Sequence, residues 1–288
     1  MKIALAQYPI GKFAGLHDWR ANAAAWVARA QADLLVFPEY GAMELTSLLP
    51  ENLQQDLHGQ IAALAQFHDG FVETYAALAR QHDVAILAPS LPVRTGAVVH
   101  NRAYLFTPHG HGFQEKRQMT RFEKESWGIA GGDELKIFDL GEAKIGIAIC
   151  YDIEFPLIAH AMARAGADLI LVPSCTDTMA GSNRVHVGAR ARALENQVYV
   201  AIAPTVGDAP WSPAVDVNRG WAAAYATPDR GFPDDGVLAK GEPDQPGWVY
   251  ADLDFDRLRA ARQNAQVFTR VDWDTQALPG LAVTQTKF

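Results

Sequence analysis

The sequence predicts a mixed α/β fold with helices outside the strands, and three observations lead to this fold class. Apolar runs of strand length alternate with segments of helical periodicity along most of the 288 residues. Some neighbouring runs are separated only by glycine-containing turns, which indicates hairpins and therefore a mixed sheet. Hydrophobic residues make up 49% of the chain, so it can bury a large core in one α/β domain or two smaller ones.

The first unit has the order strand, helix, strand. Residues 2–6 (KIALA) form an apolar strand, and His17 to Ala30 has apolar residues at helical spacing, with Asp18 as the candidate N-cap. The next segment, DLLVFPEY, is a buried strand with Glu39 at its carboxyl end. In open α/β sheets, ligands bind at this end of the central strands.

A second unit later in the chain resembles the first. ARAQADLLVFPE at 28–39 compares with ARAGADLILVPS at 163–174, and KIALA at 2–6 compares with KIGIA at 144–148. We interpret this as an internal repeat, which suggests two similar halves that each contribute a sheet and are related by an approximate two-fold axis. Chance similarity of helix-to-strand junctions is the alternative.

The remaining segments continue the alternation, and no stretch has the composition of an interdomain linker. We therefore predict one domain over residues 1–288, with long loops between Gly207 and Gly247 and an extended tail over 264–288. The other predicted elements are a helix over Leu53–Arg80 interrupted at Gly59 and Gly70, strands at 83–90, 100–107 and 112–117, a hairpin of 136–140 with 144–149, a strand at 168–173, a helix over Asn183–Gln197, strands at 198–204 and 248–254, and a helix at 255–263.

Composition and charge argue against several classes of partner. The net charge is −8, with acidic residues spread along the chain, which argues against nucleic acid and anionic membranes as partners. The apolar N-terminal stretch is interrupted by Gln7 and Pro9 and is too short for a signal peptide, and no run approaches the ~18 apolar residues of a membrane span. We expect a cytoplasmic protein whose two cysteines are free thiols.

Cys150 lies where α/β chains often place catalytic groups. Lys144 to Ile149 is an apolar run of strand length that stops at this cysteine, and the pattern from Phe155 to Ala165 is helical, with Pro156 suited to a first turn. A helix start offers unpaired N–H groups that lower the pKa of a thiol and supply part of an oxyanion hole. The alternative is a buried, inert cysteine.

Three charged side chains are candidates to meet the thiol. A poorly solvated Glu39 would have a raised pKa and can take a proton from a thiol, and a salt-bridged structural glutamate is the alternative. Lys116 ends a strand and can stabilise a developing oxyanion, unless it belongs to a solvated basic patch. Glu125 lies nine residues further on and can orient the lysine or the substrate, with Glu123 as its rival.

Other candidate residues have less support from the sequence. Cys175 also follows a strand end, and we expect a pocket-lining thiol there rather than a second nucleophile. His109 and His111 lie in a Gly-flanked turn and are expected to be solvated, and no Gly-rich phosphate loop is present, so no metal or cofactor is predicted. Three tryptophans can wall a pocket, with core packing as the alternative: Trp127, Trp211 and Trp221.

Taken in order, LLVFPE, a strand ending in lysine and GIAICYD resemble the carbon–nitrogen hydrolase (nitrilase) superfamily. The resemblance covers most of the chain and includes RALENQVYV at 192–200. It implies a four-layer α-β-β-α sandwich with two mixed sheets and a Glu–Lys–Cys triad. The roles it implies are general base for Glu39, oxyanion stabiliser for Lys116, nucleophile for Cys150, second glutamate for Glu125 and backbone oxyanion donor for Tyr151.

The chain departs from the family pattern in ways that bear on the substrate. CYDIEF follows the thiol where true nitrilases usually have Cys-Trp-Glu-His, which is closer to amidases and carbamoyl hydrolases. Gln118 stands where a histidine is common, and Pro204 where an asparagine is common. The substrate therefore cannot be inherited by analogy.

We predict a cysteine-dependent amidohydrolase that cleaves a small amide or N-carbamoyl compound through a thioester. The alternatives are acyl transfer from the same thioester, nitrile hydrolysis, and a catalytically silent binding protein. Relatives of this architecture usually pair through helices, so we expect a homodimer or a larger even-numbered assembly. The predicted contact uses small or apolar residues of FPLIAHAMARA and NRVHVGARARALEN: Ala159, Ala163, Val187 and Ala191.

Overall fold

A computed structural model describes residues 1–276 and 284–286. The strands are β1 (Lys2–Pro9), β2 (Leu34–Val36), β3 (Ala85–Leu87), β4 (Leu91–Thr95), β5 (Val98–Thr107), β6 (Gly110–Glu115), β7 (Ile129–Ala130), β8 (Ile137–Asp139), β9 (Lys144–Ile147), β10 (Leu169–Ser174), β11 (Tyr199–Asp208), β12 (Val217–Asn218), β13 (Ala223–Tyr225), β14 (Val237–Lys240) and β15 (Gly247–Asp252). The helices are α1 (Leu16–Arg29), α2 (Glu51–Gln54), α3 (Leu57–Leu64), α4 (His68–His82), α5 (Pro156–Arg164), α6 (Met179–Asn196), α7 (Phe255–Asn264) and α8 (Thr269–Gln276). Shorter turns are the 3₁₀ segments Gly41–Leu48, Ala65–Phe67 and Cys150–Glu154 and the π-type turn Glu123–Trp127.

The strands form two mixed sheets with the same plan. In the first sheet β1, β2 and β3 are parallel and lie between antiparallel β15 and β5. In the second sheet β9, β10 and β11 are parallel and lie between antiparallel β8 and β13. The sheets join where β1 and β11 pair at Tyr8 with Thr205 and Pro9 with Val206. This shared plan agrees with the internal repeat seen in the sequence.

Successive side chains of a strand pack into different layers, and together the layers form a four-layer α-β-β-α sandwich. Ile3 and Leu5 of β1 belong to the apolar cluster that also contains the second sheet, whereas Ala4 and Ala6 belong to the cluster under α1 and α4. Successive side chains of a strand point to opposite faces, so the first sheet is buried on both. On the outer face of the second sheet, side chains of α5 and α6 close the core, including Met162, Ala163, Val185 and Ala189.

The predicted helix over Leu53–Arg80 is instead three helices, and its breaks do not fall at the glycines. Gly59 lies inside α3 and Gly70 inside α4. The chain breaks before α3, where the Asp56 carboxylate accepts hydrogen bonds from the N–H groups of His58 and Gly59. An aspartate at this position satisfies N–H groups that have no partner inside the helix, and the prediction overlooked this cap.

The helix predicted from Asn183 begins four residues earlier, at Met179. The Thr178 hydroxyl caps it by accepting a hydrogen bond from the Gly181 N–H at 3.1 Å. Its carboxyl end agrees with the prediction to within one residue, since α6 ends at Asn196. The cap leaves only residues 175–178 between the end of β10 and the start of α6, and Cys175 is the first residue of this connection.

The tail is helical rather than extended over Thr269–Gln276, which corrects the prediction. Arg270 donates hydrogen bonds to the backbone oxygens of Asn196 and Ala163, which cap the ends of α6 and α5, and the Trp273 ring stacks on His160 at 4.4 Å. These contacts are far apart in sequence, so local periodicity did not reveal the helix. Residues 277–283 and 287–288 of the predicted tail lie outside the described residues.

Two residues of the predicted helical contact surface face the protein's own core. Ala159 and Ala163 are 0% and 2% exposed because they pack on the second sheet, so they are not available to a partner. Val187 is 69% exposed on α6, and Leu157 is 71% exposed at the start of α5. Within the described part of the chain, no helix combines the length and hydrophobicity needed to cross a membrane.

Candidate active site

Cys150 begins a tight turn between a strand and a helix. It follows β9, opens the 3₁₀ segment Cys150–Glu154, and has a left-handed backbone with φ of 49°. Such a conformation is costly for a non-glycine residue and is common at functional sites. The thiol therefore lies on a sharp turn that follows a strand, as the end of the apolar run at Cys150 suggested, but α5 starts only at Pro156, so the thiol is not at the helix N-terminus.

Helix α6 packs directly against this turn. Gly188 approaches so closely that a Cβ there would lie 2.9 Å from the Ile153 carbonyl oxygen, and Arg192 donates a hydrogen bond to the same oxygen at 3.2 Å. A side chain at position 188 would therefore push the helix away from the turn. Arg192 also pairs with Glu195 at 2.7 Å, so this arginine has a structural role.

Glu39 and Lys116 form a buried ion pair beside the thiol. The Lys116 ammonium donates to Glu39 Oε1 at 2.7 Å, and both residues are about 1% exposed. Asn101 donates to the same oxygen at 2.8 Å, and the Cys175 N–H donates to Oε2 at 3.0 Å. The carboxylate is thus held by three donors from separate parts of the chain, one inside β5 and two directly after β6 and β10, which is how a buried charge is retained.

Glu123, and not Glu125, completes this network. Glu123 Oε2 accepts a hydrogen bond from the Lys116 ammonium at 2.7 Å, and its other oxygen accepts from the Tyr40 hydroxyl at 2.7 Å. Glu125 points outward and pairs with Arg121, with 59% of its side chain exposed. The expectation that Glu125 orients the lysine is wrong, because the π-type turn directs positions 123 and 127 inward and position 125 to solvent.

Asp152 joins the thiol turn to the loop that follows Lys116. Its carboxylate accepts hydrogen bonds from the N–H groups of Ile149 at 3.1 Å, Arg117 at 3.1 Å and Gln118 at 2.7 Å. One side chain therefore sets the spacing between the residue before the cysteine and the residue after the lysine. Both reacting groups depend on it for their relative position.

Cys150 itself is 4% exposed and contacts the end of β10. Its thiol lies 3.6 Å from the Cys175 carbonyl oxygen, and the Ser174 hydroxyl donates to the sulfur at 3.5 Å. Both cysteines are free thiols. Cys175 directs its own sulfur toward Asn218 Oδ1, at 3.3 Å.

Burial is the largest single influence on the pKa values of the charged groups and the thiol in this site. It raises the pKa of Glu39 to about 7, against the opposing effect of the Lys116 ammonium. Burial and the Glu39 carboxylate together raise the pKa of the Cys150 thiol well above its usual value, contrary to the lowered pKa expected from a helix start. Burial also acts to raise the pKa of Glu123, but the Lys116 ammonium and the hydrogen bonds from Tyr40 and the Thr120 N–H together outweigh it, and the pKa is lowered.

For Lys116 the balance is the reverse. Burial acts to lower its pKa, but the carboxylates of Glu39 and Glu123 outweigh this effect and hold the pKa well above its usual value. The lysine therefore remains an ammonium, with its donors directed at the two carboxylates. Burial raises the pKa of Cys175 to about 12, so the second thiol stays protonated as well.

These groups line a pocket with a volume of about 610 Å³. Tyr151, Trp127 and Cys175 all line it. The three charged residues Glu39, Lys116 and Glu123 line it as well. The Trp127 ring lies 4.7 Å from that of Tyr40 and is 2% exposed, so it serves the core and the pocket wall together. Within the described residues, no three His, Cys, Asp or Glu side chains are grouped so that they could hold a metal ion.

The other two tryptophans lie elsewhere in the structure. Trp221 stacks on His186 at 4.0 Å in the core beneath α6, and Lys12 lies 5.9 Å from the Trp211 ring. Sequence reasoning missed Asn101 and Asp152 as functional supports. Asp152 had a local signal, since it is two residues after the cysteine, whereas Asn101 lies inside β5 and reaches Glu39 only through sheet pairing.

Comparisons with known proteins agree with this geometry. The family model for carbon-nitrogen hydrolases matches residues 2–263. The probable hydrolase YhcX of Bacillus subtilis is 32% identical over 271 residues, which cover 93% of this chain and 52% of that protein. This chain thus spans about half the length of that relative. The omega-amidase NIT2 of Bos taurus is 29% identical over 203 residues, with 67% and 70% of the two chains covered.

The fold is also found in solved structures. A carbon-nitrogen hydrolase from Helicobacter pylori superposes with a TM-score of 0.75 at 19% sequence identity, and the match covers 96% of this chain and 98% of that chain. At this identity the similarity concerns the fold. It agrees with the two-sheet sandwich described above.

Proposed function

Because the chain belongs to the carbon–nitrogen hydrolase family of the nitrilase superfamily, we propose that it is a cysteine-dependent amidohydrolase acting on a small amide or N-carbamoyl compound. The observation that carries the proposal is the buried Glu39–Lys116 pair beside the Cys150 thiol at the wall of a 610 Å³ pocket. A nucleophile, a base and an oxyanion donor at one pocket are the groups that acyl transfer requires.

The first step is attack of the sulfur on the carbonyl carbon. The raised pKa of Cys150 keeps the thiol protonated in the free enzyme, so attack needs a base. Glu39 accepts the thiol proton as the C–S bond forms, and the carbonyl oxygen becomes an oxyanion. Lys116, a permanent ammonium between two carboxylates, supplies charge to that oxygen, and the Tyr151 backbone N–H supplies a second donor.

The second step breaks the C–N bond. The protonated Glu39 returns its proton to the departing nitrogen, so that ammonia or an amine leaves and a thioester remains on Cys150. A pKa of about 7 suits a group that must alternate between base and acid near neutral pH. Water then attacks the thioester while Glu39 accepts its proton, and the proton returns to sulfur as the acid is released.

Glu123 holds the lysine rather than reacting. Its carboxylate accepts from the Lys116 ammonium, the Thr120 N–H and the Tyr40 hydroxyl, so it fixes the direction of the ammonium. Glu123 thus takes the role of second glutamate that the family resemblance implied for Glu125. We assign it as a positioning residue.

The test separates acylation from turnover. The purified protein is incubated with small amides, N-carbamoyl amino acids and nitriles, ammonia is measured, and intact mass spectrometry detects acylated Cys150. Wild-type protein should release ammonia from an amide or carbamoyl compound, and Glu39→Gln should remain folded without forming the acyl-enzyme. A normal acyl-enzyme in Glu39→Gln would remove Glu39 from the base role, and failure of every compound to acylate Cys150 would favour a silent binding protein.

Two alternative reactions share the same thioester. Added hydroxylamine reports acyl transfer, because a hydroxamate forms in place of the acid when an amine competes with water. Ammonia release from nitriles reports nitrilase activity. The pocket contains no feature that favours either reaction over amide hydrolysis, so both are outcomes of the panel.

We also propose that residues 1–288 form one carbon–nitrogen hydrolase domain, and that the protein is cytoplasmic, forms a homodimer and binds neither nucleic acid nor membrane. Leu157 on α5 and Val187 on α6 are exposed apolar residues on the same outer layer, and Leu194 of α6 is 39% exposed. A second copy would bury them through the same patch on both subunits. Helix α8 already occupies the other end of this layer, where Arg164 pairs with Asp274 at 2.8 Å.

A further inference from the structure

Glu154 is a carboxylate in the pocket that the proposed mechanism does not use. It is the last residue of the turn that begins at Cys150, and it lines the same pocket. Only 23% of its side chain is exposed. A charged group that lines the same pocket as the nucleophile will attract or repel the part of the substrate that extends away from the reacting carbonyl.

Carboxylates outnumber cations around the pocket. Among the described residues that line it, three side chains are cationic: Lys116, Arg121 and Arg184. Five are acidic: Glu39, Glu123, Glu154, Asp177 and Asp216. The excess of negative charge favours substrates with a positive group over substrates with a carboxylate.

Each of the three cations is already engaged. Lys116 lies between the two catalytic-site carboxylates at 2.7 Å from each. Arg121 turns outward to Glu125, which lies outside the pocket lining. Arg184 forms a long ion pair with Glu154, with 3.7 Å between Nε and Oε1, which is beyond hydrogen-bond length.

Glu154 contributes more than Arg184 to the electrostatic field inside the pocket, because its side chain is less exposed to solvent. The Arg184 side chain is 64% exposed, so water and salt screen its charge. Glu154 is mostly covered by protein, and its charge is screened much less. A substrate ammonium can bind a Glu154 carboxylate that no hydrogen bond ties to Arg184.

We propose that the substrate is cationic: a small amide or carbamoyl compound with an ammonium group at its far end, bound by Glu154 while Cys150 attacks the carbonyl. This inference rests on the proposed amidohydrolase function and names its substrate class. Glu154 then acts as a specificity residue that contacts the substrate. The opposite arrangement, a substrate carboxylate bound by Arg184, is the outcome that would overturn it.

The experiment uses three amides with the same four-methylene chain and different ends. These are 5-aminopentanamide, which is cationic, hexanamide, which is neutral, and adipic acid monoamide, which is anionic. We expect kcat/KM for the cationic amide to exceed that for the neutral amide by about tenfold or more, and the anionic amide to be the poorest. Preference for the anionic amide, or equal values for all three, overturns the inference.

Variants assign the preference to Glu154. Glu154→Gln should lower the ratio of cationic to neutral kcat/KM by about tenfold, mainly through KM. Glu134→Gln is the matched control, because that glutamate side chain is 79% exposed and outside the pocket lining, and its ratio should stay at the wild-type value. Arg184→Gln should raise the ratio, since it removes the competing cation. An unchanged ratio in Glu154→Gln contradicts the assignment.

Failure of the two proposals can be told apart. If mass spectrometry shows acylated Cys150 with hexanamide but no preference for the ammonium, the amidohydrolase function stands and the cationic specificity is wrong. If none of the three amides acylates the thiol or releases ammonia, while the wider panel also fails, both proposals are wrong. If only the cationic amide reacts, both are supported together.

Discussion

The Lys116 ammonium lies 2.7 Å from Glu39 Oε1 and 2.7 Å from Glu123 Oε2, so one buried cation bridges two carboxylates. The two acids respond differently to it. Burial prevails at Glu39 and raises its pKa, whereas the ammonium and several hydrogen bonds prevail at Glu123 and lower its pKa. Glu39, with the raised pKa, can act as the base, whereas Glu123, with the lowered pKa, stays a carboxylate that positions the lysine.

The pH dependence of activity should follow Glu39. The base acts as a carboxylate, and its pKa is raised to about 7, so it is protonated and inactive below that pH. We expect kcat/KM for hexanamide, which does not titrate, to fall about tenfold per pH unit below pH 7 and to level off above it. A profile that is flat down to pH 5 would contradict Glu39 as the base.

The two thiols should differ sharply in importance. Cys150→Ala removes the nucleophile, and we expect kcat to fall by at least about 10⁴-fold. Cys175→Ala keeps the backbone N–H that donates to Glu39, so a substantial fraction of activity should remain. Steady-state kinetics and acyl-enzyme mass spectrometry test both variants. Near-wild-type turnover in Cys150→Ala would refute the mechanism.

The variants Glu123→Gln and Glu125→Gln form a matched pair that tests which glutamate holds the Lys116 ammonium in place. Glu123→Gln should lower kcat by about 10²-fold or more, because it removes one charge that fixes the Lys116 ammonium. KM should change much less. Glu125→Gln removes an exposed ion pair with Arg121 and should change kcat by less than about twofold. The reverse order would restore the role first expected for Glu125.

Asp152 should matter for the spacing of the reacting groups. In Asp152→Asn the amide oxygen can still accept hydrogen bonds, but the NH₂ group faces N–H donors of the Lys116 loop or the thiol turn. We expect a loss of about 10- to 100-fold in kcat with little change in KM, and a lower Tm. Thermal unfolding by circular dichroism is measured beside the kinetics. Lower stability with unchanged kcat would mean that the role is structural alone.

Association should depend on the exposed apolar residues of α5 and α6. We expect light scattering coupled to size exclusion to give twice the 31.4 kDa chain mass, or a larger even multiple. Val187→Glu should shift the mass toward the monomer, because it places a charge in the proposed contact. Val98→Glu, on a 44% exposed valine of β5, is the control. A single monomer mass across a dilution series would refute the dimer.

Most of the strands could be predicted because their signal is local. Apolar β-branched runs with turns at their ends identified β1, β2, β10 and β11. Helix boundaries were less secure, because side-chain caps such as Asp56 and Thr178 decide them. Helix α8 escaped prediction since its contacts come from α5 and α6, more than 70 residues away in the chain.

The sequence by itself determined the α/β fold class, the repeated strand–helix–strand units and the strand-end positions of Glu39, Lys116 and Cys150. Each of these follows from apolar periodicity and from the point where a run ends. Only the tertiary structure decided between Glu123 and Glu125, because one turn of unusual geometry sets which side chain faces the lysine. It also reversed the expected pKa of the thiol. Burial depends on all the surrounding elements, and no local stretch of sequence specifies it.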